Sequence, residues 1–419
     1  MSDGIWLLLG LLLLAYLGSN LVGGRAIRGF GLPSGSEYLM LGFALGPHAL
    51  DVLGRSLAHT FEPVVLVGTG WLALVMAVGY VRVGDRWINP ARAAIGVLLG
   101  TISCGAVAVA VYVAAPLLGS FSEFSRIAMA LGMGACASAT TRHSVRWVVE
   151  RHGARGPLAD FAADAARASA IVPPLALTVL FAFAPGGALP SVPVALRVAL
   201  TLVFGAAIGL IAALLLGRDF RRDESYGVLL GTGLLALGAA DRAGLSLLGA
   251  TFAMGLMLAA SRHRLEIKAM LTPTEKPVLL PVVLLAGAYV NLKLPTEVLI
   301  LVGVGVGAKL VIRVLLGVAL GFGPARGTGA DFGVSMLASG GFTIAAALAL
   351  SARVPGTTAD AVLLFAVVST LLGEWLAPAA LRRSLDRAGE LHAVAPEEIA
   401  RPSDAPEQTH PISARESHG

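Results

Sequence analysis

Asp160, Asp164 and Arg167 stand four and three residues apart in the apolar stretch PLADFAADAARASAIVPPLALTVLFAF, Pro157–Phe183. Those steps place all three charges on one face of a helix. A carboxylate in a narrow, poorly hydrated cavity holds its proton more firmly, so that proton and metal cation compete for it. A guanidinium one turn away can pair with the acid, or grip an external carboxylate in bidentate fashion. A bilayer penalises every such charge, and spans that carry several are usually using them.

Two further patterns belong with that face. Lys309 lies mid-way along VGVGVGAKLVIRVLL, with Arg313 one turn on. Lys309 is too deep for its chain to reach an interface. The segments SRIAMALGMGACASATT (125–141) and SMLASGGFTIAAALAL (335–350) are dense in small residues, Gly134 in the first and adjoining Gly340 and Gly341 in the second. Small residues let helices pack closely. They also suit helices interrupted within the membrane, where unwound backbone binds ions. Hydroxyls at Ser138, Thr140, Thr141, Ser339 and Thr343 add oxygen ligands of the kind hard cations prefer. The two segments occupy corresponding positions in the two halves of the chain, which points to an inverted repeat.

The elements that position these residues are membrane spans. The 419 residues are 56% hydrophobic and only 14% charged, too few charges to cover a soluble domain of this length. Apolar runs of about 20 residues fit helices and exclude the short strands of a membrane barrel. Breaks at glycine, proline and charge clusters give about thirteen spans, near 5–22, 33–52, 62–81, 93–118, 126–141, 157–184, 190–217, 225–240, 244–261, 277–292, 297–321, 330–352 and 359–381. With the N-terminus outside, loops on the inner side hold roughly twenty Lys and Arg and those on the outer side about five, as the positive-inside rule asks. MSDG has no basic n-region, so the first span reads as an anchor. Residues 386–419 read as a disordered cytoplasmic tail.

Other functions are disfavoured on the same page. The net charge of +5 sits in loops on one side of the membrane, which argues against a nucleic-acid partner. Cys104 and Cys136 are packing thiols and not a disulfide framework. The histidines lack metal-ligand spacing, and there is no nucleophile–base pair or phosphate loop. Neither an enzyme nor a cofactor is expected, and no metal beyond a transported monovalent cation.

At this point the chain resembles the monovalent cation:proton antiporter superfamily, which includes sodium/proton exchangers and potassium efflux proteins. LPSGSEYLMLGFALGPHAL (32–50) is similar to the family's second-helix signature, and AGLSLLGATFAMGLMLA (243–259) to its Gly-Leu-Ser…Leu-Gly-Ala-Phe stretch. Lys309 after Gly307 and Ala308 matches the basic residue of a late core helix, and 335–350 resembles the second broken helix. The resemblance covers residues 1–385. It implies a homodimer whose mobile core moves against a scaffold, elevator fashion. Scaffold spans fall at about 1–90 and 222–295, core spans at about 91–185 and 296–385, with the broken helices crossing. The family also places an acidic pair mid-way along the sixth span. Counted from Gly156 that pair falls near Ala166 and Arg167. Counted from the Ser-Thr of the broken helix the acid falls nearer Ala168 or Ser169. Asp164 is about one turn earlier.

The expectation is therefore an all-α polytopic protein with inverted repeats, in a bacterial inner membrane, with its N-terminus outside and C-terminus cytoplasmic. It exchanges Na+ or K+ for protons. Asp164, Asp160, Ser138, Thr140, Thr141 and Ser169 bind the ion or proton, and Arg167, Lys309 and Arg313 compensate charge. Gly134, Gly340, Gly341 and Thr343 shape the broken helices. One alternative is an organic-anion transporter using Arg167, Lys309 and Arg313 in one cavity. The other is a non-transporting sensor or partner subunit with a degenerate ion site.

Overall fold

A computed structural model describes residues 35–391, apart from 48, 49, 52, 54, 81, 84, 85, 88, 184–191, 217–221 and 355. The expected first span, 5–22, and residues 392–419 lie outside the described residues. In chain order the first helices are α1 (Ser36–Leu45), α2 (Arg55–Val78), α3 (Pro90–Leu118), α4 (Glu123–Ser138), α5 (Arg142–Arg151), α6 (Pro157–Ser169), α7 (Val172–Phe183) and α8 (Val194–Leu216). The rest are α9 (Arg222–Arg242), α10 (Leu247–Ala259), α11 (Arg264–Leu271), α12 (Glu275–Tyr289), α13 (Thr296–Gly321), α14 (Ala330–Ser335), α15 (Gly341–Ser351) and α16 (Thr357–Arg387). A two-residue hairpin, β1 (Arg82–Val83) with β2 (Arg86–Trp87), joins α2 to α3.

Among the described residues, seven helical stretches are long and apolar enough to cross a membrane. Their amphipathicity is inverted relative to a soluble protein. Along α13 the outer face exposes Leu310, Val311 and Leu315, while Lys309 and Arg313 are buried. Hydrocarbon outside and charge inside is the pattern a lipid solvent selects.

Helix ends follow local chemistry. Asn89 caps α3, its Oδ1 accepting from the N–H groups of Ala91 (3.0 Å) and Arg92 (3.4 Å), with Pro90 at the first helical position. One turn on, α3 meets α6 so closely that a Cβ at Gly96 would lie 2.5 Å from the Ala165 carbonyl oxygen. That approach brings Arg92 against the acids of α6.

Both small-residue segments are broken, and they touch at the breaks. The first parts at Ala139–Thr141, between α4 and α5; the second parts at Met336–Gly340, between α14 and α15. The Thr141 N–H donates to Ala338 O at 2.7 Å, and the Thr140 hydroxyl donates to Met336 O at 2.9 Å. Gly340 has φ +81°, a conformation that costs a Cβ-bearing residue, and lies against Thr141.

Three expectations need correction. Gly134 is not at a break: it lies inside α4, where a Cβ would come 2.6 Å from Cys104 O, so its role is close packing against α3. The second half of the first broken helix is α5, the charged segment 142–151 that hydropathy assigns to a loop. The last helix continues to Arg387, and Glu390 is fixed by contacts described below, so ordered structure continues past 386. A third discontinuity lies at Ala170–Ile171 between α6 and α7. Pro173 and Pro174 lack the N–H groups that would bond Ser169 and Ala170, and the helix gives way there.

Candidate functional site

The crossing of the broken segments is held by two cations from α13. Lys309 Nζ donates to Leu337 O (3.0 Å), Ser339 Oγ (2.5 Å) and Ser369 Oγ (2.6 Å). Arg313 Nη2 donates to Ala137 O (3.1 Å) and Ser138 O (2.8 Å), the last carbonyls of α4. Helix C-termini carry unpaired carbonyls and partial negative charge, so cations belong there. The close approach of α14 to α13 makes this possible, since a Cβ at Gly333 would sit 1.9 Å from Arg313 O.

The remaining crossing residues are neutral. The Thr140 N–H donates to Ser169 Oγ at 3.3 Å, and Ser169 in turn donates to Ala166 O. The Ser138 hydroxyl bonds back to Ala135 O, and the Thr343 hydroxyl to Ser339 O. Thr141 Oγ1 caps α5 by accepting from the His143 N–H. Ser169 therefore touches the crossing at the position where one count along the sixth span expected an acid.

The acids of α6 lie elsewhere. Asp164 is buried, with its carboxylate 3.7 Å from Arg92 Nη1; Asp160 is half-exposed and 3.5 Å from the same nitrogen. Ser169 stands five positions after Asp164, about 7.5 Å along the helix. Asp164 thus stands beside α3, towards the end of the bundle that carries Arg142. A further buried carboxylate is Glu374 on α16, one turn from Thr370 and next to Gly373, which packs on Leu337 and Ala338.

The charges acting on Arg167 are those of Arg142, Asp164, Arg146 and Tyr80. Arg142 pairs with Glu275 at 2.6 Å, and His143 lies 3.1 Å from the same carboxylate, linking α5 to α12.

Several of these residues carry no local signal. Arg92 and Glu275 look like ordinary charges near span ends. Glu390, beyond the last span, accepts from the backbone N–H groups of Leu158 (2.7 Å) and Ala159 (2.8 Å) and so caps α6. Ser369 was the findable one: a hydroxyl buried in an apolar span asks for a partner.

Two interrupted, crossing helices with charged groups at the crossing, in a bundle of lipid-facing apolar helices, define a secondary transporter. The chain belongs to the sodium/hydrogen exchanger transmembrane family, whose sequence model matches residues 9–382. It is an integral membrane protein. Among solved structures it is similar to the sodium proton antiporter MjNhaP1 from Methanocaldococcus jannaschii at pH 8, with a TM-score of 0.67 and 16% identity. That likeness is one of fold and covers 93% of this chain and 99% of that one. No curated protein sequence matches the chain significantly.

Proposed function

We propose that the protein exchanges a monovalent cation for a proton, and that the exchange takes place at the crossing. The observation that carries this reading is the oxygen cage around Lys309: one carbonyl and two hydroxyls within 3.0 Å of a buried ammonium. Oxygens gathered around a single positive charge also suit an alkali cation. When Lys309 gives up its proton and a metal ion takes its place among the oxygens, the charge of the site is unchanged. The bilayer penalises any net change of buried charge, so this one-for-one substitution couples the two ions.

Asp164 lies on the route between the crossing and the Arg142 end of the bundle. With Arg92 it offers a carboxylate past which the cation or proton travels. Asp160, more exposed, widens that mouth. The α3–α7 and α13–α16 elements act as the moving core, and α1, α2 and α9–α12 as the scaffold, in an elevator cycle. Sodium and potassium both fit such a site. The protein works as a homodimer in a bacterial inner membrane, N-terminus outside, a placement supported by the asymmetry of basic loops.

The test uses purified protein in lipid vesicles with a pH dye inside. A proton gradient is set, and sodium, potassium or lithium is then added outside. The reading expects dye recovery with at least one cation and none with choline. Absence of recovery with every cation, from protein shown to be folded and inserted, contradicts it and leaves the sensor alternative.

A further inference from the structure

Arg167 is a half-buried guanidinium outside the hydrogen bonds described at the crossing. Its Nε and Nη1 are shielded from solvent and have no hydrogen-bond partner among the described residues. Neither has the hydroxyl of Tyr80, whose side chain at the end of α2 is only 6% exposed and whose ring is held edge-on against Phe252. The two groups lie within each other's electrostatic reach, and Arg142 within reach of both. Unsatisfied buried donors are costly, and several of them together ask for a common acceptor.

The surrounding charges make that acceptor an anion. Arg146 and Lys268 add positive field around Arg167. Of the acids nearby, Glu275 is paired with Arg142 and His143 and Glu150 with Arg146, while Asp160 and Asp164 lie 3.5 and 3.7 Å from Arg92, and Asp164 alone of these acts on Arg167. The Arg146 side chain is 70% exposed, Arg167 is half-buried and Tyr80 is buried, so the group runs from water into the protein. The Nε and Nη1 hydrogens lie along different edges of the Arg167 guanidinium, so each asks for an acceptor oxygen, and the positive charge favours an anionic one.

We propose that Arg167, Tyr80 and Arg142 form a binding site for a small soluble oxyanion of the inorganic phosphate type, at the mouth beside Asp164. The site is separate from the oxygen cage at Lys309, and its occupation does not depend on the exchange reaction. A bound oxyanion satisfies Arg167 and lowers the positive field that a cation meets on its way to Asp164.

The experiment is a thermal-denaturation titration of the full chain in detergent. Potassium phosphate replaces potassium chloride at constant potassium and ionic strength. A saturable rise in Tm is expected. Arg167→Gln should weaken the apparent affinity by more than about tenfold, since charge-assisted hydrogen bonding is lost. Tyr80→Phe, which removes one hydroxyl and no charge, should weaken it about fivefold, the scale of a single hydrogen bond. A parallel titration adds phosphatidylglycerol micelles in place of phosphate. Stabilisation by the lipid alone, no stabilisation by either, or a phosphate response unchanged in both variants would each overturn the proposal. Tyr80→Phe keeps the test decisive if Arg167→Gln fails to fold.

Discussion

The crossing and the Arg167 end of the molecule treat charge in opposite ways. At the crossing, Lys309 and Arg313 meet neutral oxygens, carbonyls at helix ends and the hydroxyls of Ser339 and Ser369. At the other end, basic residues meet carboxylates: Arg92 with Asp160 and Asp164, Arg142 with Glu275. The first arrangement leaves a positive site that can hold a proton or a metal ion without changing its charge. The second is a set of ion pairs that fixes helices against one another. The difference teaches that α6 serves both regions: Ser169 accepts from the Thr140 N–H at the crossing, while Asp164 lies 3.7 Å from Arg92 on α3.

Lys309→Arg should break the comparison most completely. Arginine keeps the positive charge and can bond the same oxygens, yet it does not release its proton in proteins. Cation-driven proton flux in vesicles should fall to background while Tm stays near that of the parent.

Arg313→Met should act on stability. It removes two charge-assisted bonds to the end of α4 and leaves Ala137 O and Ser138 O unsatisfied, a loss of about 3 kcal/mol. A clear drop in detergent Tm is expected, and an unchanged Tm would mean the carbonyls find other partners.

Asp164→Asn separates the two regions. With the acid on the access route and not in the cage, flux should slow by about tenfold, the equivalent of roughly 1.4 kcal/mol on the barrier. Complete loss of exchange would move the seat of exchange to Asp164.

The smallest effect is expected for Glu390→Gln, which weakens the cap on α6 without touching either region. A loss of about 1 kcal/mol in stability, with flux unchanged, is the expected outcome in denaturation and vesicle assays.

Much of the fold was legible because its causes are local or nearly so. Apolar runs of span length, the basic bias of alternate loops and the two small-residue segments point to a broken-helix bundle without any knowledge of contacts. The break in the first segment was harder to place. Its second half, RHSVRWVVER, is too charged to look like part of a span, and Gly134 invites a break where the chain packs against α3 instead. The kink after Ser169 was not anticipated, since 157–184 was read as one span, although Pro173 and Pro174, whose missing donors break a helix, carry the signal for it. The site was less legible. Lys309 stood out by its depth, but its partners lie 28 to 60 residues away, and Glu390 reaches α6 across more than 230. Such pairings are set by packing and leave no periodic trace. Arg167, on the same helical face as Asp164, looked like that acid's partner, whereas Arg92 from α3 holds the Asp164 carboxylate at 3.7 Å.

The most direct test of exchange at the oxygen cage is proton release on cation binding. Purified protein in weakly buffered detergent solution is titrated with sodium or potassium chloride while a pH dye follows the bulk solution. One proton released per protein at saturation, abolished in Lys309→Arg and retained in Asp164→Asn, is the result expected here. Saturable cation binding without proton release, or release that disappears in Asp164→Asn and persists in Lys309→Arg, would contradict it.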